Sequence, residues 1–170
     1  AIELFNLSNY DLIISITSAL IKGVKSNSEQ LNICYCNTPT RYLWVESKSY
    51  VKGAPIPFFI RPLIPAVIGF LKRWDWKASQ RPKYYIANSC NVQARIKKYY
   101  QRDSHVIFPP VDAQKFRPIN SKGQYFLVVS RIEPYKKVDL VIEVFNKLIL
   151  PLKIVGGGTR FEEYRQKVSD

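Results

Sequence analysis

At 170 residues and 19.7 kDa the chain has room for one domain or parts of two, which excludes a large multidomain machine. Apolar residues make up 46% and charged residues 23%, enough for a packed core and unlike a disordered tail. Lys plus Arg number 26 against 13 Asp plus Glu, a net charge of +13, so an anionic partner is expected, with phosphates the first suspects. Cys34, Cys36 and Cys90 cannot all pair, and one histidine, His105, leaves no Cys/His cluster for zinc. A reducing cytoplasm is the expected compartment.

The opening stretch AIELFNLSNYDLIISITSA carries no initiating methionine, basic n-region or signal cleavage pattern. It reads as a helix end running straight into a strand, and a portion of the protein upstream of Ala1 is expected. Apolar runs then recur at 12–16 (LIISI), 31–35 (LNICY), 84–87, 106–108, 125–129 (YFLVV) and 152–155. They are short, β-branched or aromatic, and do not alternate with polar residues, which predicts parallel strands covered on both faces. After Asn88-Ser89, Val92, Ile96 and Tyr99 recur at helical spacing, with Ser89 placed to cap the free amides. Val138, Val141, Ile142, Phe145, Leu148 and Ile149 form a second helical stripe, and a further helix start is expected within 159–168. Strands alternate with helices, so the class is α/β.

Two segments interrupt that alternation. Prolines 109, 110 and 118 make 108–118 a linker between two α/β units, the second of which is expected to continue past Asp170. The other is Pro55–Trp76, PIPFFIRPLIPAVIGFLKRWDW, within a region where residues 56–105 carry 10 basic and 2 acidic groups. Arg61 and prolines 55, 57, 62 and 65 argue against a bilayer-spanning helix, which needs about 20 apolar residues in succession. Two readings of this segment stand side by side. In one it dips into lipid headgroups, with Lys72, Arg73 and Lys77 on anionic lipid; in the other it is an irregular insertion packed on the core with a solvated basic face.

The most informative stretch is Tyr125–Asp139, YFLVVSRIEPYKKVD. A buried strand ends at Val129, placing Arg131 just beyond its carboxyl end, where open α/β sheets bind ligands. Lys136 and Lys137 are expected at the start of the following helix, where the dipole disfavours positive charge. An anion held by free amides, Arg131 and a lysine explains the arrangement; Glu133 or Asp139 neutralising the cations explains it equally. Lys153–Thr159, KIVGGGT, is a strand followed by a glycine turn, which suits either close approach to a nucleotide or a tight strand-to-helix connection.

YCNTPTRYLW (35–44), RWDWKASQRPKYYIANS (73–89), ARIKKYY (94–100), VIFPPVD (106–112), VSRIEPYKKVDLVIEVF (129–145) and KIVGGG (153–158) follow one another in order. Together they resemble the consecutive motifs of the retaining GT-B glycosyltransferases of family four, closest to bacterial mannosyltransferases of O-antigen and exopolysaccharide assembly. The resemblance implies two facing Rossmann-like domains: an N-terminal, acceptor-side domain over 1–112 lacking its start, a linker over 113–122, and the beginning of a donor-binding domain over 123–170. It implies transfer of a hexose such as mannose from a nucleotide-diphosphate sugar to a glycan or lipid-linked acceptor, with retention of configuration. The resemblance implies that no cofactor or metal is required. Arg131 and Lys136 match the basic pair that holds the donor diphosphate, and Gly156 and Gly158 match the glycine turn lining the donor cleft. Asn37 stands where the family has a histidine that assists catalysis; an amide donates a hydrogen bond but cannot carry the proton charge. The family's spaced glutamate pair is expected beyond Asp170 and its glycine-rich loop before Ala1, so the intact parent is expected to be an enzyme and these 170 residues alone inactive. The protein is expected in the cytoplasm, peripheral on the inner face of the cell membrane. The alternatives are a non-catalytic relative and a basic nucleic-acid-binding module; against the latter, there is no RNP-like pattern, zinc finger or basic recognition helix beyond Arg95-Ile-Lys-Lys98.

Overall fold

Five of the six apolar runs become strands or contain one, and the sixth, 106–108, contributes only Val106 to a two-residue strand that starts at His105. The computed structural model describes residues 2–45, 47, 51, 57–116 and 123–168. The strands β1 (Leu12–Thr17), β2 (Leu31–Cys36), β3 (Tyr84–Ala87) and β4 (His105–Val106) pair in parallel in the order β1-β2-β3-β4. Their registers place Leu12 opposite Leu31, Ile33 opposite Tyr84 and Ile86 opposite His105. A second parallel pair joins β5 (Phe126–Val129) to β6 (Leu152–Val155), with Phe126 opposite Leu152. The described helices are α1 (Arg41–Trp44), α2 (Ile64–Ser79), α3 (Cys90–Tyr100), α4 (Val138–Leu148) and α5 (Phe161–Arg165). The class is mixed α/β with parallel sheets. The chain divides into two compact units, Ala1–Val111 and Asp112–Asp170.

In the first unit Cys34, Cys36, Tyr85 and Ala87 meet Val92, Ile96 and Tyr100 of α3 in a buried cluster, with Trp44 and Tyr99 at its margin. The buried stripe is Val92, Ile96 and Tyr100, with the predicted Tyr99 only half-buried beside it, and the Ser89 hydroxyl accepts from the Val92 amide at 3.3 Å as an N-cap. The expectation that the strands are covered on both faces does not hold. Ile13, Ser15 and Thr17 are buried, whereas Leu12, Ile14 and Ile16 on the alternate face are about half exposed or more. The helical cover lies on the face of Cys34, Cys36 and Tyr85, and an apolar run without polar alternation does not by itself reveal which face is covered.

In the second unit Ile132, Val138, Ile142 and Tyr164 form the buried cluster, with Ile154 packed on it. The stripe predicted over 138–149 forms α4, and Ile149 ends it as a left-handed C-cap at φ 53°. Pro62 and Pro65 do not break α2. They fall in a 3-10 turn (Arg61–Leu63) and in the first turn of α2, where a missing amide removes no helical hydrogen bond. Among the described residues no helix is long and apolar enough to cross a membrane. Residues 55 and 56 of the segment read as lipid-facing or inserted, and 117–122 of the expected linker, lie outside the described residues.

Candidate functional site

The carboxyl ends of β5 and β6 are joined beyond the last strand residues. The Ser130 amide donates to the Val155 carbonyl at 3.0 Å, and the Ile132 amide donates to the Gly157 carbonyl at 2.9 Å. The glycine turn therefore lies directly against the loop that carries Arg131. A Cβ on Gly156 would stand 1.8 Å from the Ser130 carbonyl oxygen, and this residue has φ +153°. On Gly158 it would stand 2.2 Å from the Ile132 carbonyl oxygen. Both glycines are thus required by the approach of two backbones, a sufficient reason for them with no ligand present. Gly157 differs, since nothing lies within 4 Å of its Cβ position.

Arg131 follows Ser130 at the rim, with its side chain 75% exposed and its Nη2 3.6 Å from Glu133 Oε1. That separation is too long for a hydrogen bond. Glu133 is itself only 15% exposed, because it bridges to the other loop: Thr159 Oγ1 donates to Oε2 at 2.9 Å and the Thr159 amide approaches Oε1 at 3.4 Å. Residues Pro134–Lys136 form a 3-10 turn, and Lys137, left-handed at φ 55°, is the residue before α4. Lys136 therefore sits one turn ahead of the helix instead of inside it, and α4 begins with no side-chain cap on its free amides. The Lys136 ammonium rests 5.4 Å from the centre of the Tyr135 ring. Asp139 lies in the first turn of α4, with Oδ1 buried and without a hydrogen-bond partner. Arg131, Lys136, Gly156 and Gly158 accordingly share one end of the second unit's sheet.

Asn37 belongs to the first unit. Its amide donates to the Thr17 carbonyl at 2.7 Å, one step past the end of the β1–β2 ladder, and the residue is exposed. Beneath the loop that follows lies a buried polar cluster. Lys22 Nζ donates to the Ala19 carbonyl at 2.5 Å, to Thr40 Oγ1 at 3.0 Å and to Asp75 Oδ1 at 2.6 Å. Asp75 Oδ1 also lies 2.8 Å from Thr40 Oγ1, and its Oδ2 accepts from Trp44 Nε1 at 2.7 Å and from the Tyr100 hydroxyl at 3.0 Å. The Thr40 amide donates to the same hydroxyl at 3.2 Å. Every proton of the ammonium and both oxygens of the carboxylate are used, which is what a charge pair 1% and 0% exposed needs to persist. Nearby, burial pushes the Cys34 thiol up to about 11 and the Cys36 thiol up to about 12. Burial likewise raises the phenols of Tyr85 and Tyr100.

Neither the Lys22–Asp75 cluster nor the Glu133–Thr159 bridge emerges from sequence patterns. Asp75, the lone acid among the basic groups of residues 56–102, was the available signal for the first. Among the described residues no group of three or more His, Cys, Asp or Glu could hold a metal ion. No protein-family model matches the chain, and no curated protein matches it.

Proposed function

We propose that the chain belongs to a retaining GT-B glycosyltransferase of family four, which moves a hexose from a nucleotide-diphosphate sugar to a glycan or lipid-linked acceptor. The observation that carries this is Arg131: a mostly exposed guanidinium at the carboxyl end of a parallel strand, one 3-10 turn from Lys136 and from the uncapped amides of α4. As the bond between the anomeric carbon and the diphosphate oxygen breaks, negative charge grows on the leaving diphosphate. Arg131 offers a planar fork of donors for it, Lys136 a point charge, and the α4 amides fixed dipoles. Gly157, with open space at its side, lets a ligand come close to backbone. Asn37 supplies an exposed amide at the acceptor-side unit, able to hydrogen-bond a sugar hydroxyl.

Calorimetric titration with nucleoside diphosphates and nucleotide sugars tests the assignment. Arg131→Ala and Lys136→Ala are each expected to weaken binding about tenfold to a hundredfold, the worth of a hydrogen bond to a charged group. Equal affinity in wild type and both variants refutes the diphosphate site. A second reading, a non-catalytic relative that binds nucleotide sugar without transferring it, is favoured by Asn37 alone. Turnover of any nucleotide sugar excludes it.

A further inference from the structure

We infer that the turn at residues 58–60 and the outer side of α2 form a docking face for an anionic lipid bilayer, entered obliquely by the amino-terminal end of the helix. This inference concerns where the protein works and stands independently of the transfer chemistry.

Leu63, Val67, Phe70, Arg73 and Lys77 succeed one another at intervals of four, three, three and four residues, so they run as one line along α2. The opposite side carries the buried Asp75, Ala78 and Ser79, which fixes the line outward. Its first half is apolar and uncovered: Leu63 is 61% exposed, Val67 53% and Phe70 70%. The preceding turn adds Phe58 at 82% and Phe59 at 67%, their rings meeting edge to face at 5.8 Å. Large apolar side chains gathered in this way on an exposed surface mark an interaction site. The second half of the line is basic.

The split along the axis decides the pose. At about 1.5 Å per residue, Leu63 and Phe70 are about 10 Å apart, and Phe70 and Lys77 about 10 Å again. Interfacial helices sink about 5–10 Å into the headgroup and acyl boundary. With the Phe58–Phe59 turn and the first two turns of α2 at that depth, Arg73 and Lys77 stand at the level of the phosphates. Lys72 does not share this role: it is half-buried, with its ammonium 5.5 Å from the centre of the Trp44 ring. Of the three cations expected on lipid from sequence, two are therefore retained.

Charge selects the occupant. Between residues 56 and 102 the sole acid is Asp75, and all its acceptor capacity is used internally. A second copy of the same face would bring the basic pairs together with no carboxylate from this segment to offset them. An anionic bilayer supplies both the apolar phase and the counter-charge, at roughly 1 kcal/mol per basic residue near its surface, about fivefold in partition.

Co-sedimentation with vesicles of phosphatidylglycerol and phosphatidylcholine in equal parts, against phosphatidylcholine alone, tests the proposal. The wild-type chain is expected to bind the anionic vesicles. Phe59→Ser/Phe70→Ser is expected to lower partition at least tenfold, and Arg73→Gln/Lys77→Gln about fivefold per charge, with Lys72→Gln nearer wild type. All four side chains in the two double variants are exposed at the surface, so unchanged circular dichroism is the expected control. Absence of binding by wild type at low salt overturns the proposal. Binding that survives Phe59→Ser/Phe70→Ser overturns it too, by showing a charge contact elsewhere. Self-association abolished by that variant, without vesicle binding, assigns the face to a second copy.

Discussion

Replacing Asp75 by Asn keeps the shape of the side chain and removes its charge, so the variant isolates what the carboxylate does. One oxygen becomes an NH2 group, and either placement creates a conflict. On the Oδ2 side it faces Trp44 Nε1, which can only donate; on the Oδ1 side it faces the Lys22 ammonium, which also can only donate. Lys22 meanwhile loses its counter-ion while 1% exposed. Removing one partner of a buried ion pair costs about 3–5 kcal/mol, a large part of the roughly 5–15 kcal/mol available to a domain. Urea unfolding followed by tryptophan emission reads this locally, because Trp44 is one of the donors. With a slope of roughly 2 kcal/mol per molar urea, the midpoint should fall by roughly 2 M. Lys22→Met should cost less, since the carboxylate keeps Thr40, Trp44 and Tyr100 as donors. Thr40→Val, which keeps the ion pair, should cost about 1–3 kcal/mol. These two variants remain readable if Asp75→Asn yields no folded protein. A loss below about 1 kcal/mol in Asp75→Asn, or a larger loss in Lys22→Met than in Asp75→Asn, refutes the carboxylate as the centre of the network.

The glycine turn gives a graded series: Gly157→Ala should stay within about 0.5 kcal/mol of wild type, whereas Gly156→Ala and Gly158→Ala should each cost roughly 1–3 kcal/mol or more by forcing apart the backbones at Ser130 and Ile132; equal melting temperatures across the three contradict the loop contact. Glu133→Gln keeps an acceptor for Thr159 and removes the negative charge 3.6 Å from Arg131, so inorganic pyrophosphate should bind severalfold tighter, as a unit charge at that distance is worth about 1 kcal/mol in water before screening; weaker binding would make Glu133 a support for the site and not a competitor. Iodoacetamide on the native protein at neutral pH should modify exposed Cys90 alone, and all three cysteines after denaturation, as mass spectrometry will show. Because burial holds Cys34 and Cys36 protonated up to about 11 and 12, the unfolded chain releases protons above about pH 8.5 that the folded chain keeps. Their contribution is fully present below that pH and is lost as pH rises toward 11, at about 1.4 kcal/mol per pH unit for each thiol; Cys34→Ala/Cys36→Ala should flatten the slope, and an unchanged slope assigns the loss to other groups.

The strands were legible because β-branched and aromatic runs bounded by polar turns leave few other options, and α3 because its period and its Ser89 cap agree. What the runs could not reveal was which side of the sheet is covered: Leu12 and Ile13 are both apolar, yet one is half exposed and the other 7% exposed. For β1 that distinction depends on the chain that follows it, since the 3-10 turn Ile21–Gly23 packs against the strand and no feature of the run itself says on which face it will do so. The rim position of Arg131 was legible from the end of its strand, and the role of Gly156 and Gly158 only in part: the need for glycine was visible, but the Ser130 and Ile132 carbonyls that impose it lie more than twenty residues upstream. Lys22 and Asp75 are 53 residues apart, and no local period links them.

The chain uses its cations in two contrasting ways, and the contrast ranks them as ligand groups. A basic side chain can hold a phosphate only with donors that the fold has not already taken. Lys22 gives all three protons to Ala19, Thr40 and Asp75. Arg102 directs its guanidinium to the carbonyls of Gln80, Pro82 and Lys83, and Arg81 pairs with Glu3 and the Gly23 carbonyl. For these, binding an anion means breaking charge-assisted bonds worth about 1.5–3 kcal/mol each. Among the described residues Arg131 has only the 3.6 Å approach of Glu133, an exposed pairing worth about 1 kcal/mol or less. A net charge of +13 draws anions to the whole surface. The unequal cost of freeing each cation makes Arg131 cheaper to recruit than these three, and on the proposed reading a diphosphate at the end of β5 would gain a guanidinium at the loss of one weak, exposed pairing.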